Sequence, residues 1–130
     1  MSLKPPVFRA LKESEAVKNI VGTNPPRIWP NGEAPQDTAR PYIVWAIVGA
    51  APENHLSGLP STDRMAVQID CYHQTRAGVD ALAEAARDAI EPYAHMTGMP
   101  IDLREPETKL YRIALQFDWF NDRTEIVSSA

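Results

Sequence analysis

The sequence predicts an α+β fold, a single domain whose antiparallel or mixed sheet of about four to five strands carries two main helices packed on one face. Three stretches lead to that expectation. "RMAVQIDCYH" (64–73) and "KLYRIALQFDWF" (109–120) alternate apolar and polar residues, as half-buried strands do, and "TRAGVDALAEAARDAIEPY" (75–93) repeats apolar residues at helical spacing.

A first helix is expected over "PPVFRALKESEAVKNIVG" (5–22). Its prolines suit a first turn, where a missing N–H costs nothing. Val7, Leu11, Val17 and Val21 recur at roughly helical spacing beside Phe8 and Ile20, and Gly22 supplies a stop. Residues 23–41 hold five prolines in 19 positions, which prevents a long element; "RIW" (27–29) is expected as a short edge strand. "YIVWAIVGA" (42–50) is β-branched, aromatic and apolar on both alternating faces, so it reads as a strand at least partly covered on both sides. Residues 50–62 are expected as a long proline-punctuated loop.

The strand at 64–73 should turn Met65, Val67, Ile69 and Cys71 to one face and Ala66, Gln68, Asp70 and Tyr72 to the other. Thr75 is a suitable cap for the second helix. Its apolar stripe is Val79, Leu82, Ala83, Ala86, Ile90 and Tyr93, with Arg76, Asp80, Glu84, Arg87 and Glu91 largely outside. "MPIDLREPETKLYRIALQFDWF" (99–120) reads as a hairpin turning near "EPET". Its second strand should place Tyr111, Ile113, Leu115, Phe117 and Trp119 on one face, and Arg112, Gln116 and Asp118 on the other. Residues 1–122 are expected as the domain and 123–130 as a polar C-terminal arm or tail.

Composition narrows the function classes. At 130 residues the chain can bury a core without staples. A net charge of −4 and a pI near 5.3 argue against a general nucleic-acid binder. They suit a protein that nucleic acid passes without being held. One cysteine allows no internal disulfide, so assembly in the cytosol is expected. No run of 18 apolar residues exists to span a membrane, and the opening segment lacks the apolar stretch of a signal peptide.

Asp70, Cys71, Tyr72 and His73 are the residue types of metal sites and nucleophilic catalysis. On a strand they diverge: Cys71 and His73 share one face, Asp70 and Tyr72 the other. A closed zinc site needs four ligands, and no CxxC, HExxH or HxxxH is present. Cys71 continues an apolar stripe, which favours burial over the electropositive, open setting of a reactive thiolate. Ser57 and Ser61 lie in no GxSxG elbow, and no glycine-rich phosphate cradle occurs. Asp102, Glu105 and Glu107 read best as a solvated hairpin tip. Trp29, Trp45 and Trp119 suit core or subunit-interface positions. No catalytic residue, metal or cofactor is expected. The rival from another class is a small intracellular hydrolase-like enzyme using Cys71 and His73.

The pattern as a whole resembles the tail completion proteins of long-tailed bacteriophages, the group of tail terminators and tail-to-head joining proteins. The resemblance spans roughly residues 7–122 and rests on four stretches. These are "VFRALKESEAVKNIVG", "RIWPNGEAPQDTARPYIVW", "DRMAVQIDCYHQTRAGVDALAEAARDAIEP" and "KLYRIALQFDWF". They are fold-pattern motifs, not catalytic signatures. The resemblance implies a non-enzymatic virion protein that assembles in the host bacterial cytoplasm. It implies a hexameric ring at the head-proximal end of the tail, which stops tube polymerisation and meets the head–tail connector. DNA would pass through the ring without specific binding. A neck protein between connector and terminator fits the same resemblance. Partner contacts to the tail tube protein or a neighbouring subunit are expected from His55, Leu56 and Leu59, with Trp29 and Trp45 as further interface candidates.

Overall fold

The computed structural model describes residues 4–53 and 62–122. The chain opens with two short helices, α1 (Val7–Lys12) and α2 (Glu15–Val21), where one was expected. The break lies at Ser14, whose backbone is extended and whose Oγ accepts the Val17 N–H at 3.3 Å. A serine hydroxyl satisfies a donor that the first turn of a helix leaves free, so α2 starts afresh there. The expected apolar positions survive the break, because Val7, Leu11, Val17 and Val21 are all buried.

Then follow β1 (Ile28–Pro30), β2 (Tyr42–Glu53), β3 (Thr62–His73), α3 (Arg76–Ile90), β4 (Ala94–Arg104) and β5 (Tyr111–Asp122). The strands form one mixed sheet in the order β1-β2-β3-β5-β4. β1 runs parallel to β2; the other neighbours are antiparallel. The helices cover one face, with α3 against β3 and β5 and with α1 and α2 packed on α3.

β2 and β4 run well past their expected bounds, and β3 and β5 each gain two residues, at 62–63 and 121–122. β2 continues from Ala50 to Glu53 because β3 stays in register opposite it, ending with Glu53 across from Thr62. Cross-strand pairing thus overrides the poor strand propensity of Pro52. Of the expected loop at 50–62, residues 50–53 and 62 belong to strands, and 54–61, which include His55, Leu56 and Leu59, lie outside the described residues. The 123–130 arm also lies outside them. β4 begins at Ala94, not Met99, since Ala94 and Met96 pair with Trp119 and Phe117. Register shifts on either side of Gly98 break its alternation and hide the strand from a period-two reading.

The core is the expected one on β3 and β5. Val67, Ile69, Cys71 and Phe117 are fully buried, and Met65, Ile113, Leu115 and Trp119 nearly so. α3 meets them with Val79, Leu82, Ala86 and Ile90. Tyr93 departs from its expected place in that stripe: α3 ends at Ile90, and Tyr93 is 58% exposed, stacked on Trp119 at 5.9 Å. The proline-rich segment before β2 is tied down by Arg27. Its Nε donates to the Pro41 carbonyl at 2.7 Å and its Nη2 to the Ile20 carbonyl at 3.1 Å, near the end of α2 where carbonyls lack helical partners.

The corner from β3 into α3 is closely packed. A Cβ on Gly78 would lie 2.1 Å from the His73 ring, so only glycine lets the imidazole rest on the first turn of the helix. Gly78→Ala is expected to destabilise the protein by about 1–3 kcal/mol, as overpacking does. In a His73→Ala background the same change should cost far less; equal costs in urea unfolding of both backgrounds would contradict the contact.

Candidate interaction surface

Alternation along β3 separates the four reactive residue types. Cys71 points to the helices and has no exposed surface. Burial first, and the Asp70 charge second, push its thiol pKa far up, so it stays protonated. That burial opposes the nucleophile reading. His73 lies on the same side of the strand, at its end. Its Nδ1 accepts the Thr75 N–H at 3.1 Å, and the Thr75 hydroxyl in turn accepts the Gly78 N–H at 3.0 Å. Burial lowers the His73 pKa, and an unprotonated Nδ1 is what this geometry requires.

Asp70 and Tyr72 face the opposite side, which none of the described helices covers. There Asp70 anchors a polar ladder that sequence reasoning missed. Arg112 of β5 donates to its Oδ2 through Nη2 at 2.5 Å and Nε at 3.1 Å. Gln68 Nε2 reaches its Oδ1 at 2.9 Å, and Gln116 Nε2 reaches Gln68 Oε1 at 3.2 Å. With both oxygens engaged, Asp70 is only 8% exposed. Tyr42 and Tyr72 stack beside the ladder at 4.7 Å, and burial pushes the Tyr72 hydroxyl up to about 12 against the pull of Arg112. The signal was present as polar residues alternating on two strands, but their partnership depends on a register between segments far apart in the chain.

The expected acidic tip does not act as one group. Asp102 pairs with Arg76 of α3 at 2.5 Å. Glu105 accepts the Thr108 hydroxyl at 3.1 Å and lies 3.9 Å from Arg112, while Glu107 is exposed. Among the described residues, no three His, Cys, Asp or Glu side chains gather as a metal ion would require. Trp29 and Trp45 are half-buried on β1 and β2, and within the described residues each indole N–H is buried without an acceptor. Such a donor costs roughly 1–3 kcal/mol until it is satisfied. Large apolar groups stay exposed on the sheet: Leu103 and Phe120, on the uncovered side, are 43% and 49% accessible, and Val48 is 52% accessible. Val48 sits at a bulge, between the Ile47 and Gly49 pairings.

Among the described residues, the reactive side chains singled out in the sequence are thus divided between the two faces of the sheet. The family model of "Tail completion protein gp17" matches residues 5–122. The chain belongs to that tail completion family. The match covers α1 through β5. Among solved structures, a chain of the "Virion of native gene transfer agent (GTA) particle" shares the fold. It has a TM-score of 0.66 and 18% identity, covering 89% of this chain and 91% of that one. No curated protein matches the sequence. Membership in the tail completion family places the chain among structural proteins of phage-type virion tails.

Two measurements check the β3 geometry. A thiol reagent should leave Cys71 unmodified in the native protein and label it fully in denaturant; rapid native labelling would contradict its burial. For His73 the folded state favours the neutral ring. Its stabilising contribution is therefore complete above its ordinary pKa, about 6.5, and is lost as pH falls through the lowered folded value. Between about pH 7 and pH 5, wild-type stability should fall more than that of His73→Asn, which keeps an acceptor but does not titrate. Parallel pH profiles would refute the assignment.

Proposed function

We propose that this chain forms a hexameric ring at the head-proximal end of a phage-type tail, where it ends tube polymerisation and joins tail to head. The observation that carries the reading is the tail completion family match, which runs across every described helix and strand. A net charge of −4 supports a passage through which DNA moves without adhering, because like charges repel. The long β2–β3 ribbon supports a contact at its tip. Residues 54–61 join its two strands, and His55, Leu56 and Leu59 are the side chains proposed to meet the tail tube protein or a neighbouring subunit. Trp29 and Trp45, half-buried on β1 and β2 at one edge of the sheet, are proposed as further interface residues. The head–tail connector is the partner proposed for the ring's far side.

The purified protein should cap one end of isolated tail tubes that lack it, as seen by negative-stain electron microscopy. A Leu56→Asp/Leu59→Asp variant should unfold at the same urea concentration yet leave the tubes bare. Bare tubes with the native protein would overturn the terminator reading, and normal capping by the variant would remove the ribbon tip from the interface.

A further inference from the structure

The helix layer carries two unlike patches, one toward each edge of the sheet. α1 rests against β1 at one edge. Val7 and Leu11 are its buried residues; Phe8 is 36% exposed, with the Lys12 ammonium 5.3 Å from its ring centroid. Arg9 is exposed as well, so α1 carries two cations and no acid. Arg9 does approach Glu13, just past the helix, but at 3.8 Å between exposed groups, a contact worth little.

Toward the other edge, α3 and β4 enclose a groove of about 280 Å³. Ala83, Met96 and the nearly buried Leu115 line it, and Met99, 51% exposed, lines it too. Methionines adapt their shape readily to an incoming apolar side chain. Asp80 and Glu84, both exposed on α3, border the same groove. Arg87 also borders it, but lies 3.2 Å from Asp88 and 3.6 Å from Glu91.

An apolar knob flanked by cations therefore stands near one edge, and an apolar groove flanked by acids near the other. They do not meet within one chain: Ala89, through which α3 adjoins α1, lies on the opposite flank of that helix from Asp80 and Glu84, with Asp88 on the outward side between them. β4 offers a neighbour no unbroken ladder, since its register shifts around Gly98 and it contains Pro100. A contact at this edge must use side chains. We infer that α1 of one copy seats in the α3–β4 groove of the next, with Phe8 between Met96 and Met99 and with Arg9 and Lys12 facing Asp80 and Glu84. A head-to-tail contact of this kind joins one patch to a different patch, and repeated rotation closes it into a ring. The inference rests on the ring proposed above and names its subunit contact.

The test uses Phe8→Cys and Met99→Cys in one chain, assembled on tail ends and then oxidised. Cys71 stays silent because it has no exposed surface. A non-reducing denaturing gel should show a ladder of covalent multimers, and neither single variant should give one. Adding Glu84→Lys should lower the ladder yield roughly tenfold, and adding Lys12→Glu to that chain should restore it to within about twofold, since like charges at an interface repel and opposite ones steer. Rings visible on tail ends without a cross-linked ladder, or a ladder indifferent to the Glu84→Lys reversal, overturn this contact and leave the ring standing. Failure of the native protein to form any ring overturns both.

Discussion

The pairing of β3 with β5 is the constraint on which the other parts rest. The two strands stay in register over twelve residue pairs, from Thr62 opposite Asp122 to His73 opposite Tyr111. That register places Val67, Ile69 and Cys71 under α3 beside Ile113, Leu115, Phe117 and Trp119. On the reverse it brings Asp70 and Arg112 close enough to bond. A slip by one residue would turn the Asp70 carboxylate into the apolar layer and expose the valine and isoleucine beside it. A buried ion pair adds little net stability over apolar residues of the same size, but it penalises every arrangement that separates its members. The ladder thus acts on the choice of register more than on the depth of the energy well.

Much of this was legible in the sequence because period and burial agree. β3, β5 and α3 each bury one regular stripe, so Val67, Ile69, Cys71, Leu82, Ile90 and Phe117 were identifiable as core. The inward direction of Cys71 followed from the same alternation. Illegible features have specific causes. β4 is an edge strand with broken register, so its residues lose the alternation that marks a strand. The extension of β2 past Pro52 is imposed by its neighbour. Tyr93 continues a helical spacing after the helix has stopped. The helix break was written locally, in Ser14, but the apolar spacing across it stayed nearly intact and masked it. The Asp70–Arg112 partnership needed a register that joins segments about forty positions apart.

The same sheet explains why the chain offers surfaces. Its helices insulate one side and leave the other to a polar ladder, stacked tyrosines and exposed apolar side chains. Its edges differ in kind, one a three-residue strand ending in proline and the other long but interrupted. Both devices discourage indiscriminate strand addition, which matters for a protein that has to meet chosen neighbours. The rigid centre and the unlike flanks are therefore complementary parts of one arrangement.

The bulged ribbon has a mechanical consequence. β5 accompanies β3 to Asp122, so the outer part of the ribbon is three strands wide up to the last described pairs. The bonds between these strands run nearly perpendicular to them. A force drawn along the ribbon would strain many of those bonds together in shear, instead of opening them one after another like a zipper. Tension applied along these described strands would pass into the middle of the sheet through many bonds at once.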